Sequence, residues 1–190
     1  MKKIRRLSNP SYHQADVWLV EENGRELVYK DFSKWGILGR FLIGREAAFY
    51  RKLKGVYGVP EFFGMPSGSS ILIEFVDGKS IKECEGLSAG FFDRLQDMVN
   101  EFHRRGILYF DLRHKSNVIV RNGDPFIIDF ATCFHVPPLV PILSWIDDAA
   151  VLYLKQTVSS HLLTGMEEKY VRKINFLSKL WFLNRIVRGD

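Results

Sequence analysis

Cysteine is scarce in this chain: only Cys84 and Cys133 occur, far apart, with no Cys-x-x-Cys pair and no Cys/His ligand spacing. That excludes a disulfide framework and a zinc site, and it predicts reduced thiols in a cytoplasmic protein. Long apolar runs are missing too. The most apolar late stretch, residues 136–146, is cut by Pro137, Pro138 and Pro141 and is too short to span a bilayer. The basic start, Met1-Lys2-Lys3-Ile4-Arg5-Arg6, would suit a signal-peptide n-region, yet Ser8-Asn9-Pro10-Ser11 follows where an apolar h-region belongs. There is no internal repeat, no low-complexity tract and no long linker.

What is present is material for a folded domain. The 190 residues are 46% hydrophobic, enough to bury one core, or two closely packed lobes sharing a cleft. A net charge of +5 and a pI near 9.2 point to an anionic partner. Charge alone does not choose among a nucleotide, a phosphorylated glycolipid, a membrane surface and RNA. The C-terminal run from Tyr170 to Arg188 mixes basic residues with aromatics and leucine, which suits either a last helix docked on the domain or a membrane-surface helix.

Two segments carry most of the chemical information. Val118-Ile119-Val120 and Phe126-Ile127-Ile128 are apolar β-formers flanking Arg121-Asn122-Gly123-Asp124-Pro125, which holds Asn-Gly and Asp-Pro turn signals. If Val118 pairs with Ile128, Asn117 faces Asp129. Mg²⁺ takes one or two such side-chain oxygens, keeps several waters and completes its shell with substrate phosphates. Asp111 lies just upstream, after an amphipathic run (Phe91, Leu95, Met98, Val99, Phe102) that Gly106 ends. Asn and Asp beside strands also serve as turn formers or caps, so each segment alone is a weak signal.

A second pair lies in the N-terminal third. Period-two alternation in Leu27-Val28-Tyr29-Lys30-Asp31-Phe32 sets Lys30 on an apolar face with Val28 and Phe32. Residues 44–53 read as a helix in which Phe49, Tyr50 and Leu53 share the face of Glu46, so Glu46 points inward. None of its helical neighbours at i±3 or i±4 is cationic, which makes Lys30 its natural partner. The plain alternatives are a snorkelling lysine and a solvated glutamate.

The order Lys30, Glu46, Asp111, Asn117, Asp129 resembles the protein-kinase-like fold. Residues 109–120, then Ile127-Ile128-Asp129-Phe130-Ala131-Thr132, then residues 147–155 narrow the likeness. Together they resemble the small bacterial lipopolysaccharide-kinase-like group, related to heptose and Kdo kinases and more distantly to RIO kinases. The resemblance implies an α+β, minimal two-lobed domain over 1–190. Residues 1–76 would form a β-rich N-lobe with one helix plus the hinge strand, and 77–190 a helical C-lobe. It further implies ATP and Mg²⁺ as cofactors: Lys30, fixed by Glu46, on the α and β phosphates, Asn117 and Asp129 on the metal, and Asp111 as the base.

By the same resemblance, the strand Ser70–Glu74 and the residues to Gly78 form the hinge. Glu74 and Val76 would give backbone contacts to adenine, and Leu72 or Ile73 would flank the ring. The expected acceptor is a sugar hydroxyl of the lipopolysaccharide core, held by a basic cluster (Arg104, Arg105, Arg113, His114, Lys115) with peripheral contact at the inner membrane surface; no DNA is expected as a partner. An atypical RIO-like Ser/Thr protein kinase and a nucleotide-binding pseudokinase are the alternatives. Several features depart from ordinary protein kinases. The segment Ser8–His13 lacks glycine, Tyr109-Phe110-Asp111 replaces His-Arg-Asp, and Ala131 stands where glycine follows Asp-Phe. The chain also reaches Trp145-Ile146-Asp147-Asp148 with little room for a peptide-docking segment.

Overall fold

The computed structural model describes residues 1–8 and 14–180, with residues 173–180 as backbone only. The chain opens with a hairpin of β1 (Lys2–Arg6) and β2 (Asp16–Glu22), and β3 (Arg25–Asp31) follows across a tight turn. In that turn Glu22 pairs with Arg25, which leaves Asn23 and Gly24 as a two-residue loop with φ of 52° and 74°. Asn-Gly tolerates this left-handed backbone, and its twist matches that of the flanking strands.

Helix α1 (Gly36–Lys52) comes next, and it starts eight residues before the Gly44 expected from sequence. The early half carries Ile37, Leu38 and Phe41 on the outside, so no inward apolar stripe betrays it. Gly39 is the residue that lets this half form. A Cβ there would lie 2.1 Å from the Phe32 carbonyl oxygen, so only glycine lets the helix pass so close to the end of β3.

Two further strands, β4 (Phe62–Ser67) and β5 (Ser70–Glu74), complete an antiparallel sheet of order β1-β2-β3-β5-β4. One face of that sheet packs on α1 through Ile71, Ile73, Ile43, Ala47 and Tyr50. On the other face, Val20, Leu27 and Leu72 make a small separate cluster under Trp18 and Tyr29. Such fully buried aliphatic side chains each contribute about 1.5–3 kcal/mol.

After the short β6 (Lys79–Ser80) the chain becomes mainly helical. Helix α2 (Ala89–Arg104) starts at Ser88, whose hydroxyl accepts from the Phe91 N–H at 3.3 Å, and buries Phe91, Leu95, Met98, Val99 and Phe102. It stops at Gly106, whose φ of 74° turns the chain into β7 (Ile107–Leu108). Strands β8 (Val118–Arg121) and β9 (Asp124–Ile127) form the expected hairpin, and β6 pairs with β8. Strand β10 (Phe134–His135) then pairs with β7 and leads to α3 (Val140–Leu143), α4 (Trp145–Val158) and α5 (Gly165–Leu180).

The hairpin register differs from the expected one. Val118 pairs with Ile127, not Ile128, and the turn is the two-residue Asn122-Gly123 with φ of 55° and 83°. Arg121 and Asp124 therefore belong to the strands. Pro125 is accommodated because β9 lies at the sheet edge.

The expected C-terminal helix, residues 170–188, overlaps α5 only in part; its side chains from 173 onward and residues 181–190 lie outside the described residues, as do residues 9–13 of the glycine-free segment. Among the described residues no helix is long and apolar enough to cross a membrane. One continuous core joins the two halves, with Tyr50 of α1, Phe102 of α2 and Phe130 in a single cluster.

Candidate active site

Between the sheet and the helical half lies a cleft of about 510 Å³, lined above by Val28, Lys30 and Ile73, along one side by residues 74–76, and below by Ile119 and Asp129. A second cavity of about 350 Å³, lined by Arg94, Glu101 and Arg105, lies elsewhere and holds none of the candidate catalytic, nucleotide or metal residues.

Lys30 sits at the heart of the cleft. Strand alternation turns it inward as expected, leaving it 7% exposed, and its ammonium lies 2.8 Å from one Glu46 oxygen and 3.1 Å from Asp129. Burial works to lower the lysine pKa, but the Glu46 and Asp129 carboxylates outweigh it and raise the value, so Lys30 stays charged. Glu46 is only 1% exposed. Its burial pushes its carboxyl upward against the pull of Lys30, while the Phe130 N–H donates to it. The solvated-glutamate and snorkelling-lysine alternatives are thereby excluded.

Asp129 reaches the cleft through a left-handed backbone, φ 64°, that a non-glycine residue adopts only under constraint. Three contacts impose it. The buried ring of Phe130 plugs the core, with its centroid 4.8 Å from Tyr50, 5.7 Å from Tyr109 and 5.9 Å from Phe102. The Tyr109 hydroxyl donates to the carbonyls of Ile128 (2.5 Å) and Asp129 (2.9 Å). Asp129 Oδ1 also accepts from the Ala131 N–H at 3.2 Å. Burial favours the neutral acid, yet Lys30 and these donors hold the carboxyl below its ordinary value of 3.8. Asp129 is thus a carboxylate with its second oxygen available to the cleft.

Asn117 and Asp111 meet as the sequence suggests, though by another route than the expected register. The Ile128 N–H donates to the Asn117 carbonyl at 2.9 Å, which continues the hairpin one step and sets Asn117 opposite Ile128, one residue short of the expected Asp129. The Asn117 side-chain amide donates to Asp111 Oδ2 at 2.8 Å and to the Asp111 carbonyl at 3.2 Å. That leaves the Asn117 side-chain oxygen as an acceptor for another ligand. Burial raises the Asp111 carboxyl above 3.8, opposed by His114 and Asn117 and helped by Asp129.

Among the described residues no three His, Cys, Asp or Glu side chains make a metal cage. One amide oxygen and one partly exposed carboxylate nonetheless fit Mg²⁺, which needs few protein ligands when phosphates supply the rest.

The loop before Asp111 depends on a residue whose role the sequence did not reveal. Asp147 of α4, 1% exposed, accepts from the N–H groups of Tyr109 (2.9 Å) and Phe110 (2.7 Å), and its Oδ2 lies 3.1 Å from His103 Nε2. Phe110 has φ 64°, and the Asp147 carboxylate clamps this strained turn. A buried acid at the start of an apolar helix, in Trp145-Ile146-Asp147-Asp148, was the available signal.

At the hinge, Ile73 lines the cleft while Leu72 packs on the opposite face. The Glu74 N–H donates to the Glu61 carbonyl (2.8 Å), and its carboxylate accepts from the Glu61 N–H (3.1 Å) and pairs with Arg121 (2.8 Å). Neither group is left for a base. Gly78 closes the hinge against β8, where a Cβ would lie 2.5 Å from the Val120 carbonyl oxygen.

The expected basic cluster is smaller than supposed. Arg104 and Arg105 are bound to Glu101 at 2.6 and 2.7 Å, and Arg105 also donates to the Lys52 carbonyl at 2.8 Å, so both are engaged away from Asp111. Near Asp111 remain Arg113, stacked 4.9 Å over Tyr153, His114 at 3.5 Å from Asp111, and Lys115.

A β-sheet half with a single helix, joined by a hinge strand to a helical half and enclosing a Lys/Glu/Asp cleft, is the α+β, two-lobed protein-kinase-like fold. Among solved structures, the chain is similar to the Rio2 kinase from Chaetomium thermophilum, with a TM-score of 0.70 and 18% identity over 86% of this chain and 60% of that one. It is similar also to the Rio2 kinase–ADP/Mg²⁺–phosphoaspartate complex from the same organism, with a TM-score of 0.68 and 18% identity over 86% of this chain and 58% of that one. The chain thus spans less than two thirds of those structures, and at this identity the likeness establishes the fold. No family model matches the chain, and no curated protein does.

Proposed function

We propose that this protein is an ATP- and Mg²⁺-dependent phosphotransferase acting on an alcohol, in one domain whose lobes divide near residue 76. The observation that carries the reading is the buried Lys30 ammonium held between Glu46 at 2.8 Å and Asp129 at 3.1 Å. A charged amine in a cleft, bound to the carboxylate best suited to a metal, is what phosphoryl transfer requires, since that reaction depends on positioning and charge neutralisation. The Rio2 complex with ADP and Mg²⁺, on the same fold, supports the choice of cofactors.

Bound Mg²⁺-ATP would supply the transferable phosphoryl group and the counter-charge for it. Lys30 binds the α and β phosphates, and Glu46 fixes its ammonium. Asn117 and Asp129 hold the metal through the amide oxygen and the free carboxylate oxygen. Val76 offers its N–H to the adenine, and Glu74 can add only its carbonyl. Asp111, raised by burial and aligned by Asn117, takes the acceptor hydroxyl's proton.

For the acceptor we favour a sugar hydroxyl of the lipopolysaccharide core, an anionic glycolipid, approached from the cytoplasmic face of the inner membrane. Arg113, His114 and Lys115 beside Asp111 suit an anionic acceptor, and the short path from Asp129 through β10 to α4 leaves no platform for an extended peptide. A RIO-like Ser/Thr protein kinase is the second reading, favoured by the structural likeness. Radiolabelled ATP offered in parallel to purified core, to a generic protein substrate and to the enzyme alone separates them. Label in the sugar supports the first, label confined to protein the second, and no label in any arm leaves a nucleotide-binding pseudokinase.

A further inference from the structure

The N-terminal half of α1 projects apolar side chains that the core does not use. Ile37, Leu38 and Phe41 are 86%, 54% and 62% exposed, while the opposite side of the helix, from Gly39 and Ile43 to Tyr50, does the packing. Spacing of four places Ile37, Phe41 and Arg45 in one row along the helix. At the end of that row the Arg45 guanidinium lies 5.3 Å over the ring of Phe134 and donates to the Cys133 carbonyl at 2.9 Å. Phe134 is itself 48% exposed and meets Phe110 edge-on at 5.8 Å. A ridge of apolar side chains, bridged by Arg45, therefore runs from the tip of α1 to the residue adjoining Asp111. The segment continuing from β10 adds Ile142 and Trp145, both exposed.

The charges that α1 itself exposes are of one sign. Helix α1 carries Arg40, Arg45, Arg51 and Lys52, and its single acid, Glu46, is buried against Lys30. We infer that this face, the tip of α1 with β10, docks the protein on an anionic lipid bilayer and brings the cleft mouth to the membrane; the inference rests on the lipid-linked acceptor proposed above. Protruding aliphatic and aromatic side chains on a helix end, with Arg40 and Arg45 between and beside them, match an acyl boundary beneath anionic headgroups. Docking there would set Asp111 facing the headgroup layer, where the sugar hydroxyl of a glycolipid lies.

The test is flotation of the full chain with vesicles of phosphatidylcholine alone or with about 30% phosphatidylglycerol, an anionic content that attracts basic faces. Wild-type protein is expected to float with the anionic vesicles, and less so at high salt. Ile37→Gln/Phe41→Gln keeps helix-compatible residues at exposed positions and is expected to weaken vesicle binding by about tenfold or more. Its unfolding temperature and its thermal shift with Mg²⁺-ATP should match wild type. Wild-type protein that stays unbound, or a variant that floats equally well, overturns the inference. So does a variant whose only change is from dimer to monomer in sedimentation, which reassigns the face to self-association. Transfer to a detergent-solubilised acceptor, run alongside, reports on the function separately: no transfer by wild type would sink the glycolipid reading while leaving the vesicle result standing.

Discussion

Removing Lys30 should injure this protein through Glu46 before it injures any chemistry. Lys30 and Glu46 are 7% and 1% exposed, so Lys30→Met strands a carboxylate in the core with no cation in its place. Breaking one side of a buried pair costs about 3–5 kcal/mol, and at about 2–4 °C per kcal/mol for a domain of this size the unfolding temperature should fall by roughly 6–20 °C at neutral pH. Protonation gives Glu46 an escape. Burial already raises its carboxyl above 4.5, and losing the ammonium raises it further.

A carboxyl raised in the folded state makes the fold most stable below the unfolded value, and stability is lost as pH climbs through the folded one. The variant should therefore lose up to about 1.4 kcal/mol per pH unit in that window, more steeply than wild type. Thermal unfolding from pH 5 to pH 8 reads the slope directly. Lys30→Met/Glu46→Leu removes both charges and should recover most of the loss, since a packed apolar pair substitutes well for a buried ion pair. A single variant within about 2 °C of wild type with an unchanged pH slope, or a double variant no better than the single, would refute the argument.

Other outcomes are expected around the same cleft. Asp111→Asn should cut turnover by about two to four orders of magnitude, with Mg²⁺-nucleotide affinity held in calorimetry; unchanged turnover removes Asp111 from the mechanism. Because burial raises Asp111 while Lys30 and its other donors lower Asp129, falling pH should depress turnover first and nucleotide binding later, an order that separate titrations of the two can check. Asp129→Ala should weaken nucleotide binding only when Mg²⁺ is present, so equal thermal shifts with and without the metal would count against that assignment. Asp147→Asn replaces one acceptor oxygen by an NH2 donor facing an N–H of the clamped turn and should cost about 2–3 kcal/mol, lowering turnover with little change in the KM for ATP; full activity would show that the turn holds itself.

Much of this site was legible because its residues announce themselves by conflict with their surroundings. Lys30 alternates with apolar residues, and Glu46 shares a helical face with Phe49, Tyr50 and Leu53 without a local cation, so each of the two implies the other. The order of Asp111, Asn117 and Asp129 on either side of a hairpin likewise followed from turn chemistry and β-propensity. Periodicity was silent where the chain is exposed. It missed the first two turns of α1 because Ile37, Leu38 and Phe41 face outward, and it misjudged the hairpin register by one residue because Asn-Gly alone makes the turn.

Local pattern thus determined which residues carry charge and which strands and helices present them. Tertiary structure alone decided how they meet. The left-handed backbone of Asp129 holds only because Phe130 fills the core and the Tyr109 hydroxyl ties down the preceding carbonyl, contacts made across the fold. Asp147 and Arg105 make the same point from opposite sides. One is a buried acid that shapes the Asp111 loop from a distant helix, and the other a cation near Asp111 in sequence that is spent on Glu101 and the end of α1. Sequence spacing measures distance along the chain, whereas desolvation and hydrogen bonding act through space, and they set which of these groups remain free to act.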